Sequence, residues 1–186
     1  LLSKEVQFLG KIPRISQTYF VERFLRMPGV YVMFEEGELR SGSGEGLRVV
    51  RIGRTKKQTL SKRLSLHTKG GHRASVLRKH IGMALMMKKN PELFVETWGG
   101  TKEPPQLKQN PVLRQREKQL EENVTRYIEK HFLFLPLVVQ DYNTREILER
   151  ELTALFSNYY ESVDPPSAGW LGRWTEDDKI VRSGIW

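Results

Sequence analysis

Gly29-Val30-Tyr31-Val32-Met33-Phe34 and Leu47-Arg48-Val49-Val50-Arg51-Ile52-Gly53 are the two stretches on which the reading of this 186-residue chain turns. Both are rich in β-branched and aromatic residues, which suit a pleated, half-buried surface better than a helix. Pro28-Gly29 introduces the first, and Gly53 stops the second. Between them, Glu35 to Gly46 holds four glycines and two serines, a composition that predicts a flexible hairpin loop. The pair therefore reads as an antiparallel hairpin with a long connection.

Outward from the hairpin the period changes from two to that of a helix. Thr59 can cap a helix running to about His67, which Lys69-Gly70-Gly71 breaks. A second helix covers about 74–88, with Val76, Leu77, Ile81, Leu85 and Met86 at helical spacing. Residues 92–98 are expected to form a strand, and 99–110, with Pro104-Pro105, a linker. Asn110-Pro111 signals the start of a helix through about Lys130. Phe132 to Val139 reads as a buried strand, and Asn143 or Thr144 as the cap of a last helix to about Asn158. Tyr19 to Met27 has the makings of a short helix ending before Pro28. The expected fold class is α+β, a small sheet covered by helices. Residues 1–27 are read as an N-terminal extension, 28–160 as the domain proper, and 161–186 as an irregular, Trp-rich tail packed on it.

Composition narrows the function classes. A hydrophobic fraction of 38%, with 10% aromatic, is enough for a core. The absence of Cys excludes disulfides, thiolate nucleophiles and Cys-bearing zinc sites. The longest apolar run, Phe132 to Val139, is far too short to cross a bilayer. The chain begins at Leu1-Leu2 with no signal-like start, and a cytoplasmic protein without membrane contacts is the default. The net charge of +9 is concentrated between Gly46 and Pro91, which holds 13 Lys and Arg and no Asp or Glu. The rest of the chain has 18 basic against 22 acidic residues, a net −4. An acid-free window of this size repels itself unless an anion meets it, and a nucleic acid backbone is the obvious partner. A solvated basic face is the bland alternative.

Four features of the chain could carry chemistry. Tyr31 lies in the first strand, where a tyrosine is usually only a core aromatic. Arg63 and His67, four apart, share one helix face and could hold a phosphate, or simply be surface residues. His72-Arg73 follows Gly70-Gly71 just before a helix, a place that suits a phosphate and equally an incidental basic loop. With about 100° per residue, Ile147, Leu148, Leu152 and Leu155 form an apolar arc that contains Glu151 and leaves Glu149 out. A carboxylate on a buried face needs an arginine or a divalent metal as partner.

Taken together, Gly29-Val30-Tyr31, Arg51-Ile52-Gly53-Arg54, Leu60…Arg63…His67 and Leu148-Glu149-Arg150-Glu151 resemble the ordered motifs of the GIY-YIG nuclease superfamily. The resemblance spans 28–158, with roughly 92–131 as an insertion. It implies a three-stranded, mostly antiparallel sheet flanked by helices, and a metal-dependent endonuclease that hydrolyses DNA phosphodiester bonds. Glu151 would hold a single Mg²⁺ or Mn²⁺. Tyr31 would position and help deprotonate the attacking water. Arg63 would clamp the scissile phosphate, and His67 would bond near either. Arg54, Lys56, Lys57, Lys62, His72 and Arg73 would line the DNA, double-stranded by preference, and a homodimer is compatible with one site per copy. A restriction, phage-defence or mobile-element role would suit such an enzyme.

The resemblance departs at Arg51, where the second motif usually begins with Tyr. Arg51 could bind the phosphate or act on Tyr31 by its charge, or mark a weakened site. The family's final Asn is also not in register, since Asn158 lies only seven residues past Glu151. A non-catalytic nucleic-acid-binding module on the same fold is the alternative, and an RNA nuclease a third reading.

Overall fold

The computed structural model describes residues 25–89 and 94–186. Most of the expected helix at 19–27, and nearly all of the N-terminal extension, lie outside these residues. The elements in chain order are β1 (Gly29–Leu39), β2 (Leu47–Arg54), α1 (Leu60–Thr68), α2 (Val76–Lys89), α3 (Pro105–Gln109), α4 (Pro111–His131), β3 (Phe132–Val138) and α5 (Tyr142–Phe156). A 3₁₀ turn (Leu171–Trp174) and α6 (Asp178–Ser183) follow in the tail. The strands form one antiparallel sheet in the order β2-β1-β3, so the first strand lies in the middle. The fold is α+β, as expected. No helix among the described residues is long and apolar enough to cross a membrane.

Alternation along β1 divides the core in two. Tyr31 and Met33 face α1, α2 and α4, packing among Leu60, Leu77, Ile81 and Ile128. Val30, Val32 and Phe34 face the other way, with Leu148, Leu152 and Phe156 of α5 packed on their cluster. The register is Tyr31 opposite Gly53 and Met33 opposite Arg51, then shifts so that Phe34 faces Val49. That extra residue on β2 is a bulge. Gly29 has a steric reason: a Cβ there would overlap the Leu137 carbonyl of β3.

The capping signals at Thr59 and Asn110 act as read: Thr59 accepts from Lys62 N and Asn110 from Leu113 N. Three local expectations change. Residues 94–98 form a turn rather than a strand, with Trp98 Nε1 donating to Lys79 O at 2.8 Å and Val95 N to Met86 Sδ. Helix α5 begins earlier than Asn143 or Thr144, because the Asp141 carboxylate accepts from Thr144 N. The hairpin loop is tied down: Ser41, Gly42 and Ser43 N–H all donate to Asp164 Oδ1 at 2.9–3.1 Å. Burial pulls the Asp164 pKa up, but the Ser43 hydroxyl and these amides more than offset it and hold it at about 2.

The tail docks on the α1/α2/α4 side. Trp186 N donates to Val50 O at 2.8 Å, and the indoles of Trp170 and Trp186 both donate to Glu35 Oε2, at 3.0 and 2.9 Å. The Tyr127 hydroxyl donates to the other carboxylate oxygen. Burial raises the Glu35 pKa above the ordinary carboxylate range against the pull of these three donors.

Candidate active site

Three of the four expected catalytic side chains meet on one oxygen. Tyr31 Oη lies 2.8 Å from His67 Nε2, and Arg63 Nε donates to the same oxygen at 3.3 Å. The residue types and positions explain the meeting. Leu60, fully buried, fixes the first turn of α1 against the sheet. Arg63 and His67 follow at positions four apart, hence on one face. Opposite Tyr31 in the ladder stands Gly53, where a Cβ would overlap the phenol hydroxyl. Glycine at this position makes room for the ring. Tyr31 and His67 are fully buried, and half-buried Arg63 is the member that reaches the surface.

His67 is held on its other side as well. Its Nδ1 lies 2.7 Å from Ser75 Oγ, and Ser75, itself buried, also accepts from Arg78 N at 3.3 Å. Among the described residues, His67 Nδ1 is the acceptor within reach of the Ser75 hydroxyl hydrogen. Two tautomers satisfy these distances: Ser75 O–H donating to Nδ1 with Nε2–H donating to Tyr31 Oη, or Tyr31 O–H donating to Nε2 with Nδ1–H donating to Ser75 Oγ. In the first, Tyr31 Oη accepts from both His67 and Arg63 and keeps its own hydrogen for a third group. Burial, with the charges of Arg51, Arg63 and Arg78, lowers the His67 pKa to about 2, so the ring is neutral at any working pH. Arg78 ties this cluster to α4, donating to His67 O at 3.0 Å and pairing with Glu121 at 2.6 Å.

Arg51 stands opposite Met33, on the Tyr31 face of the sheet. Its Nη1 donates to Trp186 O at 2.6 Å, while its buried Nε has no partner among the described residues.

The acidic side of the expected site is arranged differently. Glu151 is 62% exposed and pairs at 2.8 Å with its neighbour Arg150, also in solvent. The inward arc of α5 centres not on Ile147 and Leu155, which are exposed, but on Arg145, Leu148, Leu152 and Phe156. Buried Arg145 fixes that orientation by donating to four backbone carbonyls, Thr55, Lys56, Val139 and Gln140. An arc drawn from apolar residues alone is rotated away from the true one. Glu149, which that arc left out, is the carboxylate turned toward the sheet, 2.6 Å from Arg54 Nε.

The expected phosphate ligands also divide. Lys56, Lys57 and Lys62 are exposed. Arg54 is neutralised by Glu146 and Glu149, at 2.7 and 2.6 Å. His72 is buried, stacked on Trp98 at 3.9 Å, and bonded through Nδ1 and its backbone N to Glu121 Oε1. Arg73 takes both oxygens of Glu117. His72 and Arg73 after Gly70-Gly71 are therefore bonded to acids of α4 and are not presented to an external phosphate. Ser75, Arg78 and Glu121 were not singled out from the sequence. Nothing in their spacing marks them; only the position of Ser75, eight residues past His67, hints that the chain returns to the same spot.

A family model described as a GIY-YIG domain matches residues 16–186. No curated protein and no solved structure matches the chain.

Proposed function

The chain belongs to the GIY-YIG superfamily of nucleases, and on that premise we propose that it is an endonuclease hydrolysing DNA phosphodiester bonds with the help of a divalent cation. The observation that carries this reading is the convergence of Tyr31, Arg63 and His67 on one phenol oxygen. Arg63 spends its Nε on Tyr31, and its two terminal nitrogens have no partner among the described residues. They are placed to hold two phosphate oxygens as charge builds on them. Once the arriving strand opens access to the buried phenol, Tyr31 would orient the attacking water beside that phosphate, and neutral His67 keeps the phenol in position. Lys56, Lys57 and Lys62 attract the backbone of the substrate on either side. A restriction, phage-defence or mobile-element setting suits this chemistry, as does a dimer that cuts both strands.

The donor chemistry fits a hard cation with a single protein ligand. Among the described residues no three His, Asp or Glu side chains converge on a point that could hold an ion. What remains is one carboxylate with waters and phosphate oxygens completing the shell, the arrangement Mg²⁺ or Mn²⁺ accepts. Glu151 gives one oxygen to Arg150, and its other oxygen has no partner among the described residues, so it would hold the ion; Glu149 is the second α5 carboxylate to compare. When bound, such a cation stabilises negative charge on the leaving oxygen.

The test is cleavage of supercoiled plasmid with Mg²⁺ or Mn²⁺, comparing wild type with Tyr31→Phe, Glu149→Gln and Glu151→Gln, and with RNA as competitor. Metal-dependent nicking that Tyr31→Phe abolishes supports the reading. Full activity in Tyr31→Phe, or no cleavage of any DNA tried, overturns it. Three observations favour the second reading, a binding module without turnover: Arg51 replaces the second motif's tyrosine, Tyr31 is sealed, and α5 packs on the sheet face opposite Tyr31. That reading expects salt-dependent binding and no product.

A further inference from the structure

The surface beside α1 gathers the three exposed lysines around an aromatic ring that the proposed reaction does not use. Tyr142, the first residue of α5, is 42% exposed and borders an open depression of about 570 Å³. The depression is otherwise lined by Lys56, Lys57, Gln58 and Lys62. Its volume falls within the roughly 300–1,000 Å³ of small-ligand sites. No carboxylate lines it, and among the described residues none of the three lysines has an ion-pair partner.

Two guanidinium groups hold the ring of Tyr142, which keeps 42% of its surface exposed. Arg54 and Arg145 place their guanidinium carbons 5.0 and 5.5 Å from its centroid. Neither arginine is free to turn away. Arg54 is fixed by Glu146 and Glu149, and Arg145, only 4% exposed, by four backbone carbonyls. Such contacts, electrostatically favourable, fix an aromatic ring that would otherwise be an exposed surface side chain. The chain thus maintains a rigid, partly open aromatic ring next to three unpaired ammonium groups and a side-chain amide. Lys62 immediately precedes Arg63 on α1, with its side chain about 100° round the helix from the phosphate clamp.

We propose that this depression binds one unpaired nucleotide of the substrate strand, its base stacked on Tyr142, its phosphates met by Lys56, Lys57 and Lys62, and its base edge within reach of the Gln58 amide. This deepens the nuclease reading and rests on it. A solvated phosphate track needs lysines but no aromatic, and a paired duplex offers no base face for Tyr142 to cover. The substrate class is therefore duplex DNA with an unpaired nucleotide beside the scissile phosphate, as in a tail, a bulge or a branch.

Binding is measured in chelator, so that nothing is cut, using a fluorescent blunt duplex and the same duplex with a short single-stranded tail carrying 2-aminopurine. Wild type is expected to bind the tailed form about tenfold more tightly, the effect of one stacked base, and to quench the 2-aminopurine. Tyr142→Phe keeps both effects; Tyr142→Leu loses both. Lys56→Gln, Lys57→Gln and Lys62→Gln weaken the tailed duplex more than the blunt one and lower its salt slope by about one each. Equal affinity of wild type for the two duplexes overturns the proposal, as does a tail preference that survives in Tyr142→Leu. Should Tyr142→Leu fail to fold, the wild-type comparison alone still decides. Plasmid cleavage, run separately, keeps the two readings apart. Tail preference without cleavage defeats only the nuclease assignment, and cleavage without tail preference defeats only the subsite.

Discussion

The two faces of the sheet follow opposite rules. On the face toward α1, α2 and α4, polar groups enter the interior and find partners there: Tyr31, His67, Ser75, Arg78 and Glu35 are all nearly or wholly buried. On the α5 face, Val30, Val32, Phe34, Val49 and Ile52 make a plain apolar layer, and the charges of α5 other than Arg145 are pushed to its edge. The difference teaches where chemistry can be assembled. A buried polar group is expensive unless bonded, so each one on the first face fixes the position of the next. The apolar face is set by volume and tolerates rearrangement more readily.

The comparison can be broken most sharply at the phenol. Tyr31→Phe is expected to lower plasmid cleavage about 10³-fold while leaving DNA affinity unchanged, since the general contribution of a positioned proton-transfer group is 10²–10⁴. On the other face, Phe34→Ala should cost about 3 kcal/mol in urea denaturation, the ordinary result of emptying a core ring site. Because Glu151 rides on α5, which packs on this face, the variant should also raise the Mg²⁺ concentration needed for half-maximal cleavage. An unchanged Mg²⁺ requirement would show that the ion is held elsewhere.

Ser75→Ala tests the polar face at one remove. It is expected to cost about 1 kcal/mol in stability and about tenfold in cleavage. Nitrogen chemical shifts of His67 supply the decisive readout between the two tautomers: the Nε2–H form is expected in wild type, a mixture in the variant. An unchanged shift pattern would defeat that expectation.

The smallest effect is a pH dependence. His67 has its folded pKa depressed by burial and by neighbouring arginines, so its contribution is present above the unfolded value of about 6.5 and is lost as pH falls toward about 2. Buried His80 shifts in the same direction. Below about pH 6.5 the unfolded chain takes up protons that the native rings refuse. His67 alone should lower stability by about 1 kcal/mol between pH 6.5 and 5.5, and His80 adds in the same direction, read from urea midpoints. His67→Asn should flatten the wild-type slope in that window. The lowered pKa values of Glu117 and Glu121 act only below about 4.5, whereas the raised pKa of Glu35 gives a slope of opposite sign above it, so the difference between wild type and His67→Asn is the readout.

Much of this architecture was legible in the chain because its signals are local. Strands declared themselves as β-branched runs bounded by Pro28-Gly29 and Gly53, and the helix starts at Thr59 and Asn110 were marked by side chains that cap within three residues. Arg63 and His67 could be paired because a helix brings positions four apart together. What failed was non-local. The α5 face was misjudged because Arg145, a charged residue, is its most buried member, bonded to carbonyls that lie far away in sequence. His72 and Arg73 looked free because Glu117 and Glu121, which neutralise them, come more than forty residues later. Residues 94–98 of the expected strand had suitable side chains, but Val95 N and the Trp98 indole bond to α2 rather than to a strand. Ser75 carries no pattern at all until the fold returns it to His67.

The carboxylate of Glu35 offers a way to watch the molecule at work. Trp170 and Trp186, with ring centroids 5.2 Å apart, are both anchored to it. The molecule thus carries its own fluorescent gauge, two emitters joined at one buried acid beneath the last stretch of chain. Loosening of that stretch, whether by acid, denaturant or an arriving strand, should register as a change in emission colour without any label attached.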